Sequence, residues 1–210
     1  MKLLAPEHKP IEEEIIEALT ENGYAIIDHF LSPDICASIL TELHEELSEG
    51  QFHKAGVGKA DDYQVLHTVR GDYIKWLEPN DLQPFTSIYL EKLGLIRNAL
   101  NRHCYLGLQD SEFHMTQYPA GTGYMRHVDA FHADDNRRIS VVLYLNFDWK
   151  TEDDGRLIIY PERGNLSPVE VLPFAGRLAL FESTLEHEVT PGGRKRYSIT
   201  GWLLKEKRFF

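Results

Sequence analysis

Arg196-Tyr197-Ser198-Ile199-Thr200-Gly201-Trp202-Leu203-Leu204 decides the reading of the fold. Alternation with a period of two puts Arg196, Ser198, Thr200 and Trp202 on one face and Tyr197 and Ile199 on the other, as in a strand with two different sets of neighbours. Seven further segments of strand character precede it: Phe113 to Tyr118, Tyr124 to Asp129, Ile139 to Asn146, Arg156 to Tyr160, Val169 to Leu172, Arg177 to Phe181 and His187 to Val189. Turn residues separate them. Eight short strands at such close spacing predict a sandwich or barrel, most economically a jelly roll.

Toward the N terminus the period changes to that of a helix. Pro10 stands where a helix begins, Ile11, Ile15, Ile16 and Leu19 mark one face, and Gly23 follows its end. Tyr24 to Ile27 reads as a strand. Ser32-Pro33-Asp34 then supplies an N-cap, a first-turn proline and a charge that suits the helix dipole. Ile35, Ile39, Leu40, Leu43 and Leu47 continue the apolar stripe to Gly50, while Glu42, Glu45, Glu46 and Glu49 are expected to form a solvated outer face. A third helix is predicted from Pro84 to about His103. Residues 51–79, with Gly56, Gly58, Asp61 and Asp62, read as a long loop that could serve as a lid over a site. The expectation is a single α+β domain over residues 1–210. Residues 1–103 are its mainly helical support and 104–210 its core, a double-stranded β-helix (jelly roll) backed by the N-terminal helices.

Charge sharpens this picture. The chain has 210 residues, 22 basic and 33 acidic, for a formal net charge of −11. Residues 1–50 hold 2 of those basic and 12 of those acidic side chains, so the remainder holds 20 and 21 and is close to neutral. An acidic chain with no basic stripe gains nothing from counterion release, so nucleic acid is not an expected partner. Leu3 to Pro6 is too short for a signal-peptide core, and no run approaches the ~18 apolar residues of a membrane span. Cys36 and Cys104 have no metal-motif spacing, which points to a protein of the reducing cytoplasm.

Histidines next to acids hold the chemistry. At this composition, roughly 0.6 His-x-Asp triplets arise by chance, so one alone means little. The chain has two, His127-Val128-Asp129 and His132-Ala133-Asp134. His132 falls in a polar turn with nothing to hold its geometry. His44 cannot chelate with Glu46 from one helix, because positions i and i+2 do not face each other. His127 ends a strand entered through a glycine turn, and alternation puts it on the same side as Asp129. A third ligand should come from another strand, and His187 is the best placed. Two histidines and a carboxylate bind one face of Fe(II) and leave positions open for a bidentate co-substrate and O2.

The last strand supports that reading. An arginine buried inside a barrel needs a carboxylate, and none lies on its own strand. A dicarboxylic co-substrate could supply it, and the planar guanidinium grips carboxylates through two hydrogen bonds. Zinc would accept the same three ligands, but a zinc hydrolase leaves Arg196 unexplained.

Taken together, Tyr118-Pro119, Gly121 to Asp129, Tyr144-Leu145-Asn146-Phe147-Asp148-Trp149, Gly155-Arg156-Leu157, Tyr160-Pro161, His187-Glu188-Val189 and Arg196 to Thr200 resemble the Fe(II)- and 2-oxoglutarate-dependent prolyl 4-hydroxylase family. They are most similar to its hypoxia-inducible-factor type. The likeness extends to Arg70-Gly71-Asp72 and Trp76, and so covers roughly residues 20–204. It implies iron on His127, Asp129 and His187, and the distal carboxylate of 2-oxoglutarate on Arg196 and Tyr144, with Tyr118 and Thr200 lining that pocket. It further implies Asp72 and Arg137 tying a substrate loop to the barrel, and Trp202 beside the peptide groove. The glycine turn before His127 is one residue short of the family pattern, and the chain stops at Phe210 without a C-terminal helix. This compact form looks like the bacterial members, whose substrate class includes elongation factor Tu. The resemblance implies Fe(II), 2-oxoglutarate, O2 and ascorbate as cofactors and co-substrates, and a protein as substrate. A free amino acid or other small molecule as substrate, and a noncatalytic jelly-roll binding module, are the competing readings.

Overall fold

The chain is described here from a computed structural model covering residues 9–56, 70–130 and 136–207. His132, Asp134, Tyr63 and residues 57–69 of the predicted lid lie outside the described residues.

Helix α1 (Ile11–Asn22) starts on Pro10 and ends where Gly23 turns to a φ of 81° and its N–H reaches the Leu19 carbonyl, a left-handed cap that glycine adopts without strain. Strand β1 (Tyr24–Ile27) follows at once. In α2 (Pro33–Ser48), Ser32 accepts a hydrogen bond from the Ile35 N–H and Pro33 occupies the first turn. Strands β2 (His53–Lys54) and β3 (Tyr73–Trp76) fall within the segment read as a loop. Strands of two and four residues, the longer with two adjacent buried positions rather than an alternation, are too short to stand out against a glycine- and aspartate-rich background. Helix α3 (Pro84–Cys104) closes the helical layer.

The jelly roll is built from β4 (Asp110–Tyr118), β5 (Tyr124–His127), β6 (Arg137–Tyr144), β7 (Leu157–Ile159), β8 (Val169–Val171), β9 (Leu178–Glu182), β10 (His187–Val189) and β11 (Arg196–Leu204). The larger sheet runs β1-β9-β6-β11-β4-β3-β2 and the smaller β5-β10-β7-β8, with every strand pairing antiparallel. Each predicted strand of the core is found, and β10 and β11 have their predicted bounds.

Two apolar layers flank the larger sheet. On its outer side, Ile139, Val141, Leu143, Leu180, Ile199 and Leu203 pack with Ile15, Ile39, Leu43, Tyr89 and Leu93 of the helices. On its inner side, Val142, Phe181, Ile159 and Leu185 fill the space between the sheets. Strand alternation sorts the side chains between these layers, so the polar face of β11 is forced inward.

The acidic face of α2 departs from expectation. Glu45 and Glu49 are exposed, whereas Glu42 and Glu46 are 6% and 5% exposed. Glu42 accepts hydrogen bonds from the Phe85 and Thr86 N–H groups at 2.7 and 2.9 Å and from the Thr86 hydroxyl at 2.8 Å, so it caps α3 from the neighbouring helix. Glu46 pairs with Lys75 of β3 at 2.7 Å. A helical wheel shows which side of α2 is polar, but not that α3 and β3 present donors to it.

Candidate functional site

The antiparallel register of β10 on β5 sets His187 directly across from His127. Strand β5 ends at His127, so alternation alone does not place Asp129. Its N–H donates to the Ser183 carbonyl at 3.0 Å, and this bond turns the carboxylate back toward the two imidazoles. His127 Nε2 lies 3.7 Å from Asp129 Oδ1, and His187 Nε2 lies 3.4 Å from Oδ2. One ligand atom from each residue falls within 4.8 Å of the others, and this is the only such group of three among the described residues.

The ligands are held in binding form. His127 Nδ1 meets the Met125 carbonyl at 2.7 Å and His187 Nδ1 meets the Leu185 carbonyl at 3.0 Å. A carbonyl only accepts, so each Nδ1 carries the hydrogen and each Nε2 keeps its lone pair for a metal. Burial pushes the His187 pKa down, which favours the neutral ring. The Asp129 carboxyl is raised by burial but more than offset by His187, His127 and the Ser140 hydroxyl, and it sits well below the usual carboxylate range. Ser140 Oγ donates to Asp129 Oδ2 at 2.7 Å and itself lies 2.9 Å from Ser183 Oγ.

Deeper in the barrel, β11 sits between β4 and β6. Its register aligns Arg196 with Tyr118, Ser198 with Thr116 and Tyr144, Thr200 with His114, and Trp202 with Ser140. Arg196 is 3% exposed and forms no ion pair among the described residues. Its guanidinium carbon lies 5.0 Å from the ring centres of both Tyr118 and Tyr144. Arg196 Nε, the Tyr144 hydroxyl and Thr116 Oγ1 are buried with no hydrogen-bond partner of good geometry. Burial raises the pKa of both tyrosines, which keeps them as O–H donors. Two unused hydroxyl donors beside a cation with an unused N–H form a receptor for a carboxylate. In the wall behind them Gly155 takes a φ of 67°, which favours glycine, and a Cβ there would come within 3.1 Å of the Trp149 ring.

The remaining expected residues lie on β6, on β11 and just before β3. Asp72, fully buried, is gripped by Arg70 through two hydrogen bonds of 2.7 and 2.5 Å. Arg137 donates to Glu112 at 2.8 Å and lies 3.5 Å above the Trp202 ring. Trp202 in turn stacks on His114 at a centroid distance of 5.6 Å, and His114 stacks on Trp76 at 5.0 Å. Asp72 thus pairs with Arg70, and Arg137 with Glu112. The sequence reading passed over Thr116, Ser140, Ser183 and Tyr124. Alternation from Tyr118 back along β4 reaches Thr116, but nothing local singles out the two serines.

The 2OG-Fe(II) oxygenase superfamily matches residues 113–204. Prolyl hydroxylase EGLN3 of Homo sapiens is 32% identical over 207 residues, covering 90% of this chain and 82% of that protein. A prolyl-4-hydroxylase from Pseudomonas putida superposes with a TM-score of 0.83 at 33% identity, covering 94% of this chain and all of that one. This chain belongs to the prolyl hydroxylases of the 2OG-Fe(II) oxygenase superfamily. A Trichoplax adhaerens prolyl hydroxylase, solved with a peptide fragment of the hypoxia-inducible-factor oxygen degradation domain, also has a TM-score of 0.83, at 28% identity over 93% of this chain and 89% of that one. The chain spans 28% of the hypoxia-inducible factor prolyl hydroxylase of Caenorhabditis elegans and 48% of Egl nine homolog 1 of Mus musculus. The two groups that name the superfamily fit this chain. Its three ligand atoms suit Fe(II), and the orphaned donors beside Arg196 suit one end of 2-oxoglutarate. No helix among the described residues is long and apolar enough to cross a membrane.

Proposed function

We propose that this chain hydroxylates a prolyl residue of a protein substrate at the 4-position, using Fe(II), 2-oxoglutarate and O2 and releasing succinate and CO2. The observation that carries this is the pairing of a His127, Asp129, His187 cluster with a buried Arg196 that has no carboxylate partner among the described residues. When bound, iron and 2-oxoglutarate supply the oxidative decarboxylation that activates O2. The protein supplies everything else. Arg196 and Tyr144 bind the distal carboxylate, Thr116 adds a third donor, and Tyr118 and Thr200 wall the pocket, which fixes the keto-acid end toward the metal. The Met125 and Leu185 carbonyls aim the two Nε2 lone pairs, while Ser140 orients the Asp129 carboxylate. The apolar lining at Val142, Leu157 and Phe181 excludes water from the reacting centre.

A protein substrate is supported by the relative solved with a peptide fragment. Elongation factor Tu is the substrate we favour, and the cytoplasm, where both cysteines stay as thiols, the compartment. Incubation with elongation factor Tu, Fe(II), 2-oxoglutarate and O2 should add one oxygen atom to a proline and release one succinate per addition, read by mass spectrometry. Turnover of 2-oxoglutarate without an oxygen on any proline of that protein or a lysate would refute the prolyl reading.

A further inference from the structure

The two histidines of the cluster are held very unequally. His187 lies on an interior strand, 5% exposed, with Phe181 against it at a centroid distance of 4.7 Å. His127 ends β5, the outermost strand of the smaller sheet, and is partly exposed. The carbonyl of Met125 fixes one ring nitrogen, and the His187 ring lies at a centroid distance of 4.2 Å. A second ring face is covered from the start of the same strand. The Tyr124 ring stacks on His127 with centroids 3.6 Å apart and planes 19° from parallel. The Arg70 guanidinium lies over the Tyr124 ring at 4.6 Å, and Arg70 is clamped in turn by Asp72.

The backbone holds this stack as well. Arg70 and Tyr124 form an antiparallel bridge, and the Gly71 N–H donates to the Gly123 carbonyl at 3.1 Å. The strands approach so closely that a Cβ on Gly71 would sit 2.5 Å from Thr122 Cβ. Asp72 also accepts the Ala55 N–H through its carbonyl at 3.0 Å, which ties the segment to the edge of the larger sheet. A continuous path of packed planar groups therefore runs from Asp72 through Arg70 and Tyr124 to a metal ligand.

We infer that Arg70 and Tyr124 are positioning residues for the metal: the docked 70–72 segment holds His127 in coordinating orientation, so docking of that segment and metal affinity are thermodynamically linked. The inference rests on the iron reading of His127, Asp129 and His187. Linkage is reciprocal, so a metal that gains affinity from the docked segment must also hold the segment down. Outer-shell partners of ligating histidines are commonly worth 10- to 100-fold in metal affinity. A stacking partner that restrains one ligand of three belongs at the lower end, about tenfold.

Co(II) is the probe, because its visible bands report coordination without turnover. In Co(II) titrations of the full chain, Arg70→Gln and Tyr124→Leu should each weaken binding about tenfold; the metal-free melting temperature should stay near wild type in Tyr124→Leu and fall in Arg70→Gln, which leaves the buried Asp72 carboxylate without its partner. Arg70→Lys, which keeps a cation over the ring but loses the bidentate grip, should fall between. In hydrogen exchange, Co(II) should slow the Gly71 amide in the wild type and much less in Tyr124→Leu. Wild-type Co(II) affinity in both variants, or a Gly71 amide indifferent to the metal, overturns the linkage while leaving the iron site standing. Failure of the wild type to bind Co(II) overturns the iron reading and the linkage with it. If Arg70→Gln unfolds, Tyr124→Leu, which leaves the Arg70–Asp72 pair intact, decides alone.

Discussion

Replacing Arg196 with methionine separates function from stability in opposite directions. The side chain is 3% exposed and its Nε has no hydrogen-bond partner among the described residues, so the ligand-free protein holds a cation out of water beside the Tyr118 and Tyr144 rings with no carboxylate to neutralise it. Substitution of a buried charge by an apolar group of similar volume is often neutral or stabilising. The ligand-free Arg196→Met protein should therefore melt at or above the wild-type temperature. Binding of 2-oxoglutarate should suffer, because a buried pair broken on one side costs about 3–5 kcal/mol. At 1.4 kcal/mol per tenfold, that is a loss of about 100-fold or more in Kd. Calorimetric titration of 2-oxoglutarate into Mn(II)-loaded protein measures it directly. Melting curves give an independent check. At a ligand concentration 100 times the wild-type Kd, wild type gains about 2.7 kcal/mol, whereas a variant bound 100-fold more weakly gains about 0.4 kcal/mol. For a chain of this size the ligand-induced shift falls from about 5–10 °C to about 1 °C. Binding retained within threefold would refute the assignment of Arg196 to the co-substrate.

Two further outcomes test the scaffold. His114 is buried, and its pKa is lowered to about 4 first by burial and then by the nearby Arg70 charge, with the Thr200 carbonyl pulling the other way. The unfolded chain takes up this proton near pH ~6.5, so the stability tied to a neutral His114 is complete above that pH and is lost progressively as pH falls toward 4, by about 3 kcal/mol in all. Urea unfolding at pH 7 and pH 5 should show a smaller acid loss in His114→Gln than in wild type, and equal losses would count against a neutral buried ring. Glu42→Ala leaves the Phe85 and Thr86 N–H groups and the Thr86 hydroxyl without their acceptor, which should lower unfolding free energy by about 3 kcal/mol while 2-oxoglutarate affinity stays within twofold. A loss below 1 kcal/mol in denaturant titration would mean that water replaces the cap.

Local periodicity made much of this protein legible. A period of two is a property of neighbouring residues, so the inward set Arg196, Ser198, Thr200 and Trp202 follows from β11 alone. Helix caps at Pro10, Ser32 and Gly23 are equally local, and the two helices they bound were readable for that reason. His127 and His187 could be nominated as ligands because strand ends and a missing acid for Arg196 narrowed the choice. What could not be read depends on contacts distant in the chain. Whether Glu42 is solvated or caps α3 depends on residues 43 and 44 positions away. Thr116 is just a β-branched polar residue until β11 brings it beside Tyr144 and leaves its hydroxyl without a partner. Asp129 reaches the metal position through a backbone bond to Ser183, which no alternation foretells. The sequence by itself determined which side chains face inward and what chemistry they offer. Only the tertiary structure decided which of them meet, because register between strands is set by the packing of the whole sheet rather than by any one segment.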